Sequence, residues 1–358
     1  MLFHLLYPLH EQYSFLNVFK YITFRVFGAG LTALLISFVL GHFFIQFFKG
    51  KKVEQMIRDD GPPTHFSKQG TPTMGGVLIL SSLILSTLLW ADLFNPYIWC
   101  VLLLTVGYGC IGFADDYLKL TKKNTKGLPG KLKLLFQTLI AMMVVIWLYQ
   151  TSPAHGNLTF PFFKNFILAL GGIYLPFAIL VIVGTSNAVN LTDGLDGLAM
   201  GPIMTTSGTY LLFSYVAGHS HIAQYLQIAA VPGAGELSIF CAAMVMSGLG
   251  FLWYSTYPAA IFMGDVGSLS LGGALGVVAV IVRQEILLFL VGGVFVLEAI
   301  SVMGQVISYK TTRKRIFKMA PIHHHFEISG WAEPKIVVRF WIISIVLAIM
   351  ALATLKLR

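Results

Sequence analysis

Ten apolar runs, each near the length of about 20 residues that a helix needs to cross a bilayer, recur along the chain at 22–48, 73–91, 96–114, 132–150, 166–186, 197–217, 235–253, 260–281, 286–308 and 337–356. No other feature limits the fold as tightly. In lipid every backbone N–H and C=O must find its partner inside the protein, and for runs of this length the helix is the structure that satisfies them. The chain is therefore expected to be an all-α polytopic membrane protein of about ten transmembrane helices. With no long linker and no evident internal repeat, residues 1–358 read as one domain. Charged residues make up 11% of the chain, against about 25% in a soluble protein, which fits a chain whose solvent is largely lipid. Glycine pairs at 171–172, 272–273 and 292–293 allow close packing or a bend. Met1 to Lys20 lacks the charged, apolar and cleavable order of a signal peptide, so none is expected. Cys100, Cys110 and Cys241 lie in or beside apolar runs, at spacings that suit neither a zinc site nor a disulfide framework.

The net charge of +9 could suggest nucleic acid, but its distribution points to topology instead. If the N-terminus is assigned to one side, alternate loops on the other side and their flanks hold 18 of the 24 Lys and Arg. The positive-inside rule makes that side cytoplasmic, and an even helix count then puts both termini in the periplasm. The same parity puts Asp115, Asp116, Asp193, Asp196 and Asp265 on the cytoplasmic side, with His323, His324 and His325. The outer side carries Glu11, Asp92, Glu236 and Glu285, scattered and without evident partners. A channel or pump would more often place such groups along a path at mid-membrane.

Four acidic settings stand out. Asp115 and Asp116 end the third run in Gly112-Phe-Ala-Asp-Asp-Tyr117. Two adjacent carboxylates at a membrane edge need a cation or a proton to offset their repulsion. Placed at a helix C-terminus, they also oppose its dipole. Asn187-Ala-Val-Asn-Leu-Thr-Asp-Gly-Leu-Asp-Gly197 offers Asn187, Asn190, Asp193 and Asp196 between glycines, and the three-residue spacing shares one face if the segment is helical. Asp265 sits between glycines in Phe262-Met-Gly-Asp-Val-Gly-Ser268. The bland alternative for Asp193, Asp196 and Asp265 is helix N-capping. Glu298 lies deep in the ninth run with no partner evident in the sequence.

Cationic and polar groups accompany the acids. Lys68-Gln-Gly-Thr-Pro-Thr-Met-Gly-Gly76 is a turn-rich approach to the second run, with Lys68 available to a phosphate. Pro321-Ile-His-His-His-Phe-Glu327 follows the basic run 310–318. Three consecutive imidazoles point in different directions, so they suit hydrogen bonds to phosphate or sugar oxygens better than one shared metal. The basic run is also suited to anionic lipid headgroups. Hard oxygen ligands and lysines gathered at a membrane face suit a divalent cation and chemistry on a phosphate-bearing substrate, one of whose partners is a lipid. No P-loop or kinase-type glycine pattern is present.

On these motifs, together with Gly264-Asp-Val-Gly-Ser268 and Met319-Ala-Pro-Ile-His-His-His-Phe-Glu327, the chain resembles the phospho-N-acetylmuramoyl-pentapeptide transferases (the MraY family) of the polyprenyl-phosphate N-acetylhexosamine-1-phosphate transferase superfamily. The resemblance implies a cytoplasmic active-site cleft in the bacterial inner membrane. It implies transfer of phospho-MurNAc-pentapeptide from UDP-MurNAc-pentapeptide to undecaprenyl phosphate, giving lipid I and UMP, with Mg²⁺ as cofactor. Asp265 would hold the metal with Asn190 as a second ligand, and Asp115 or Asp116 would deprotonate or position the lipid phosphate. Lys68, Thr73, Lys119, Asn187, Asp193, Asp196, Phe262, Gln305, His323, His324 and His325 would serve the nucleotide-sugar, with Phe262 stacking on uracil. A one-step attack and a two-step route through a phospho-aspartate on Asp116 or Asp265 both fit these residues. Glycine-rich helix faces would permit a homodimer. The competing readings are a sister transferase that moves GlcNAc-1-phosphate, against which the His triplet argues, and a transporter, which would need polar groups reaching the outer side.

Overall fold

The computed structural model describes residues 1–50, 70–122, 127–151, 156–161, 163 and 166–356. Helix α1 (Leu2–Leu6) and two short 3₁₀ turns precede α2 (Ile22–Gly50), α3 (Gly76–Trp90), α4 (Pro96–Thr121) and α5 (Gly130–Thr151). A small antiparallel hairpin follows, β1 (Asn157–Thr159) with β2 (Ile167–Ala169), in which Leu158 faces Leu168. Then come α6 (Tyr174–Thr192), α7 (Met200–Gly218), α8 (Ser220–Leu226), α9 (Leu237–Ser255), α10 (Gly264–Ile281), α11 (Glu285–Val291), α12 (Gly293–Thr312), α13 (Ile322–Ile328) and α14 (Glu333–Ala353).

Every one of the ten apolar runs contains a helix. Among the described residues, seven helices are long and apolar enough to cross a membrane, or eight if α11 and α12 form one span bent by 84°. Helix α3 has 15 residues and falls short. Helix α7 is diluted by Gly201, Pro202, Thr205, Thr206, Ser207 and Thr209. The hydroxyls of Thr205, Thr206, Ser207 and Thr209 donate to carbonyls, as in Thr209 Oγ1 to Thr205 O at 2.8 Å, so their polarity costs little. The three glycine pairs behave differently. Gly171–Ile173 forms a 3₁₀ turn after the hairpin, Gly272 and Gly273 remain inside α10, and the break falls at Gly292. The fifth run therefore begins as strand and turn, and its helix starts at Tyr174.

Helix α10 is the axis of the bundle. Of its spanning window, 89% is buried, packed against α3, α4 and α6. Close approach is possible because Gly272 and Gly276, one turn apart, face α6. A Cβ on either would lie 2.8 Å from the Cα of Ser186 or Ile182. Small residues at this spacing let membrane helices pack backbone to backbone.

Three of the four acids expected on the outer side, Asp92, Glu236 and Glu285, have partners that the sequence did not reveal. Glu236 receives both guanidinium nitrogens of Arg25, at 2.8 and 2.6 Å, and also accepts from Asp92 N at 2.9 Å. Asp92 lies 3.1 Å from His4, and Glu285 accepts from the Tyr174 hydroxyl. Partners 211 residues apart leave no pattern in the sequence. Arg25 and Glu236 are both buried, so Glu236→Ala strands a guanidinium. The expected cost is about 3–5 kcal/mol, read as a lower thermal midpoint in detergent. An unchanged midpoint would show that the pair adds nothing to stability.

Candidate active site

Helix α4 runs past the expected end at 114 to Thr121. Asp115 and Asp116 are thus inside a helix, and Lys119 stands one turn on, on the same face. The start of α4 lies beside the Arg25–Glu236 network, where Asn95 Nδ2 donates to Gly233 O at 2.8 Å. Nineteen residues later, about 28 Å along a helix, Asp115 and Asp116 are buried at the other end.

There the first turn of α10 brings in Asp265. Asp115, Asp116 and Asp265 each offer a carboxylate oxygen, all within 4.8 Å of one another. Two ammonium groups hold them together. Lys119 Nζ lies 2.5 Å from Asp115 Oδ2, 3.5 Å from Asp116 Oδ1 and 3.4 Å from Asp265 Oδ2. Lys133 Nζ, from α5, lies 2.7 Å from Asp265 Oδ2 and 3.2 Å from Asp115 Oδ1. Asp115 Oδ1 also accepts from Leu128 N at 2.8 Å. Asp116 Oδ2 accepts from Val266 N at 3.3 Å, in the first turn of α10. A carboxylate that opposes the dipole of its own helix is therefore placed at the favourable end of another.

The backbone that makes this convergence possible is supplied by two motifs that pair with each other. Phe262 N donates to Pro72 O, Gly75 N to Phe262 O and Gly76 N to Met263 O, each at 2.8 Å. The turn needs a left-handed residue on each side, Met74 at φ +70° and Gly264 at φ +73°. A side chain on Gly264 would also meet Asp116 Oδ2 at 2.6 Å. A Cβ on Gly112 would fall 2.3 Å from Asp265 O, so α4 can carry its acids to α10 only because that position is bare.

The remaining expected residues are distributed around this cluster. Asn190 Nδ2 donates to Asp265 Oδ1 at 3.0 Å and to Ser268 Oγ at 2.8 Å. Thr73 is buried beside Gly264. Asp193 ends α6 as its C-cap. Burial and the Asp265, Asp116 and Asp196 carboxylates push its pKa up to about 8, the response of an acid in a region already crowded with negative charge. Asp196 turns to the 256–260 loop, accepting from Ala259 N at 3.0 Å, while its own N–H donates to Glu333 at 2.8 Å. Helix N-capping does not account for these acids: Ala199 is the N-cap of α7 and Met263 that of α10.

Other expected residues meet protein partners. Asn187 Nδ2 donates to Gln137 Oε1 at 3.0 Å, and Gln137 Nε2 to Ser186 Oγ at 3.2 Å, behind the cluster. Phe262 is half-buried at the motif pairing. Gln305 holds the loop after α12, donating to Phe317 O and accepting from Ile316 N and Phe317 N, each at 3.0 Å. His324 Nδ1 lies 3.0 Å from Glu327, His325 Nδ1 accepts from Lys318 N at 3.1 Å, and His323 is wholly buried. Lys68 lies outside the described residues.

Lys133 escaped the sequence reading, where it counted only toward topology. The signal available was Lys133 and Gln137 at helical spacing on an otherwise apolar run, which puts both on one face.

Three carboxylates and an amide are hard oxygen donors, and three negative charges face two ammonium groups. Both facts fit a divalent cation of the magnesium or calcium type. A ligand role for Asn190 would fall to its Oδ1, since Nδ2 faces Asp265.

Comparison with known proteins agrees with this chemistry. The model of glycosyl transferase family 4 matches residues 98–283, just over half the chain. A phospho-N-acetylmuramoyl-pentapeptide-transferase signature matches residues 68–80. A phospho-N-acetylmuramoyl-pentapeptide-transferase of Pelobacter propionicus is 60% identical over 358 residues, covering 100% of both chains. Those of Syntrophus aciditrophicus and Geobacter sp. (strain M21) are each 59% identical, again over 100% of both chains. The chain belongs to the phospho-N-acetylmuramoyl-pentapeptide transferase family. The signature stretch of that family contains the Thr73–Gly76 turn that pairs with Phe262 and Met263, so its local role is to set the first turn of α10 beside Asp116.

Proposed function

We propose that this protein transfers phospho-MurNAc-pentapeptide from UDP-MurNAc-pentapeptide to undecaprenyl phosphate at the cytoplasmic face of the bacterial inner membrane, releasing UMP and forming lipid I. The observation that carries this reading is the Asp115–Asp116–Asp265 cluster bridged by Lys119 and Lys133, in a chain of this family. Bound Mg²⁺, held by Asp265 with Asn190 or the paired acids, would neutralise charge developing on the pyrophosphate.

The protein's own residues supply the rest. An oxygen of the lipid phosphate attacks the sugar-side phosphorus, that P–O bond forms, and the bond to the UMP oxygen breaks. Lys119 and Lys133 offset the anionic crowding, and Asp115 or Asp116 positions the incoming lipid phosphate. A direct displacement is favoured over a phospho-aspartate. Lys133 on Asp265 Oδ2, Asn190 on Asp265 Oδ1 and Val266 N on Asp116 Oδ2 make these oxygens poorer nucleophiles while leaving lone pairs for a cation. Lys68, Thr73, Asn187, Asp193, Asp196, Phe262, Gln305 and the His324–His325 pair belong, in this reading, to nucleotide-sugar binding, directly or by shaping the cleft. Ten spans with both termini in the periplasm would place every one of these groups on the cytoplasmic rim.

The test is UMP release by purified protein with undecaprenyl phosphate, with UDP-MurNAc-pentapeptide and UDP-GlcNAc assayed side by side over a magnesium titration. UMP is expected with the first sugar only, and excess EDTA is expected to stop it. Release with UDP-GlcNAc instead would transfer the chain's activity to the sister reaction. Transport without UMP release would sink the enzymatic reading altogether.

A further inference from the structure

Glu298 has a partner. In α12 its Oε1 lies 3.1 Å from Nδ1 of His323 in α13, and both side chains are 0% exposed. An acid and an imidazole enclosed together in a membrane protein are expensive to bury, and neither reaches the carboxylate cluster. The opposite edge of the same imidazole lies on the backbone of Gly194. A Cβ there would fall 2.2 Å from His323 Nε2 and 2.9 Å from Cε1. Gly194 directly follows Asp193, and His323 directly precedes His324. Apolar packing runs through the same contact, joining Leu195 and Leu198 of the 193–199 segment to Val294 of α12, Ile322 and Phe326 of α13, and α14.

We propose that Glu298 and His323 are a positioning pair for the nucleotide-sugar site. The imidazole is clamped between the Glu298 carboxylate and the Gly194 backbone, and so fixes α13, with His324, against the loop that carries Asp193. His323 then touches no substrate. It sets the spacing between two segments that do, and in this the inference rests on the function proposed above. The pair reaches the reaction through binding geometry, so its loss appears in the KM of one substrate.

Initial rates of UMP release with UDP-MurNAc-pentapeptide varied, at saturating undecaprenyl phosphate and magnesium, test this, alongside calorimetric binding of UDP-MurNAc-pentapeptide to the full-length protein. Glu298→Ala is expected to raise KM for the nucleotide-sugar about tenfold and weaken its binding in parallel, with kcat changed less than about threefold. Glu298→Gln, which keeps the size and shape of the side chain that backs the ring, is expected to recover most of the loss. Gly194→Ala forces the ring away and is expected to match Glu298→Ala. His323→Ala removes the clashing ring, so Gly194→Ala/His323→Ala should be no worse than His323→Ala. The proposal fails if Glu298→Ala leaves KM and binding unchanged, or if only the thermal midpoint falls. It fails equally if Gly194→Ala adds its full penalty to His323→Ala. Should Glu298→Ala not fold, the glycine and histidine pair decides by the same additivity. A wild-type protein that releases no UMP refutes the function itself, whereas variant-to-wild-type ratios judge the pair.

Discussion

Asp265→Asn is expected to lower kcat by at least about 10³-fold, the scale of losing a preorganised electrostatic element, in protein that still inserts and folds. The Asp265 carboxylate is held from both sides by donors, Lys133 Nζ at 2.7 Å on Oδ2 and Asn190 Nδ2 at 3.0 Å on Oδ1. An asparagine must turn its NH₂ toward one of them, so either rotamer replaces an attraction with donor facing donor. One negative charge is also lost from the proposed cation site. The rest of α10 is apolar and buried, and keeps its packing. Mn²⁺ binding, followed by electron paramagnetic resonance, should weaken along with turnover. Near-normal UMP release by this variant at ordinary magnesium would remove Asp265 from the metal assignment.

Lys133→Met comes second in size, with kcat expected to fall by about 10²–10³-fold. The methionine keeps most of the length and removes the charge that bridges Asp265 to Asp115. Two carboxylates then repel without their mediator, and the pyrophosphate loses a cation beside it. The sign of the metal effect separates this role from simple misfolding. A more negative cluster binds a divalent cation at least as tightly as before, so the magnesium concentration for half-maximal rate should stay level or drop while kcat collapses. A rise in that concentration together with the loss of rate would show that Lys133 supports the cation and does not share its task. Lys133→Arg should not restore activity, because a planar fork cannot place one point charge between two carboxylates in the same way.

Much of this site could be read from the chain alone, and the part that could not has a physical cause. The acids were legible because acids are rare in apolar sequence and each lies among glycines. Their spatial neighbours were not. Asp115 meets Asp265 only because α10 is inserted between α3, α4 and α6, a contact that no local periodicity encodes. Lys133 was hidden by its own location, since a lysine at a membrane edge is the ordinary sign of topology. Arg25 with Glu236, and His323 with Glu298, are pairs of distant residues whose partnership appears only on folding. Helix ends slipped for a simpler reason. Hydropathy marks where lipid stops, whereas hydrogen bonding carried α4 on to Thr121 and α6 to Thr192.

The sheathing of α10 has a consequence for the kind of molecule the protein can accept. A long hydrocarbon has no room along α10 itself, whose spanning window is 89% buried against its neighbours. In the proposed reaction the tail of a greasy acceptor would lie against other helices, with its phosphate reaching the carboxylates. An acceptor held in that way would be recognised by its head more than by its tail, so acceptors with much shorter isoprenoid chains are expected to serve the same chemistry.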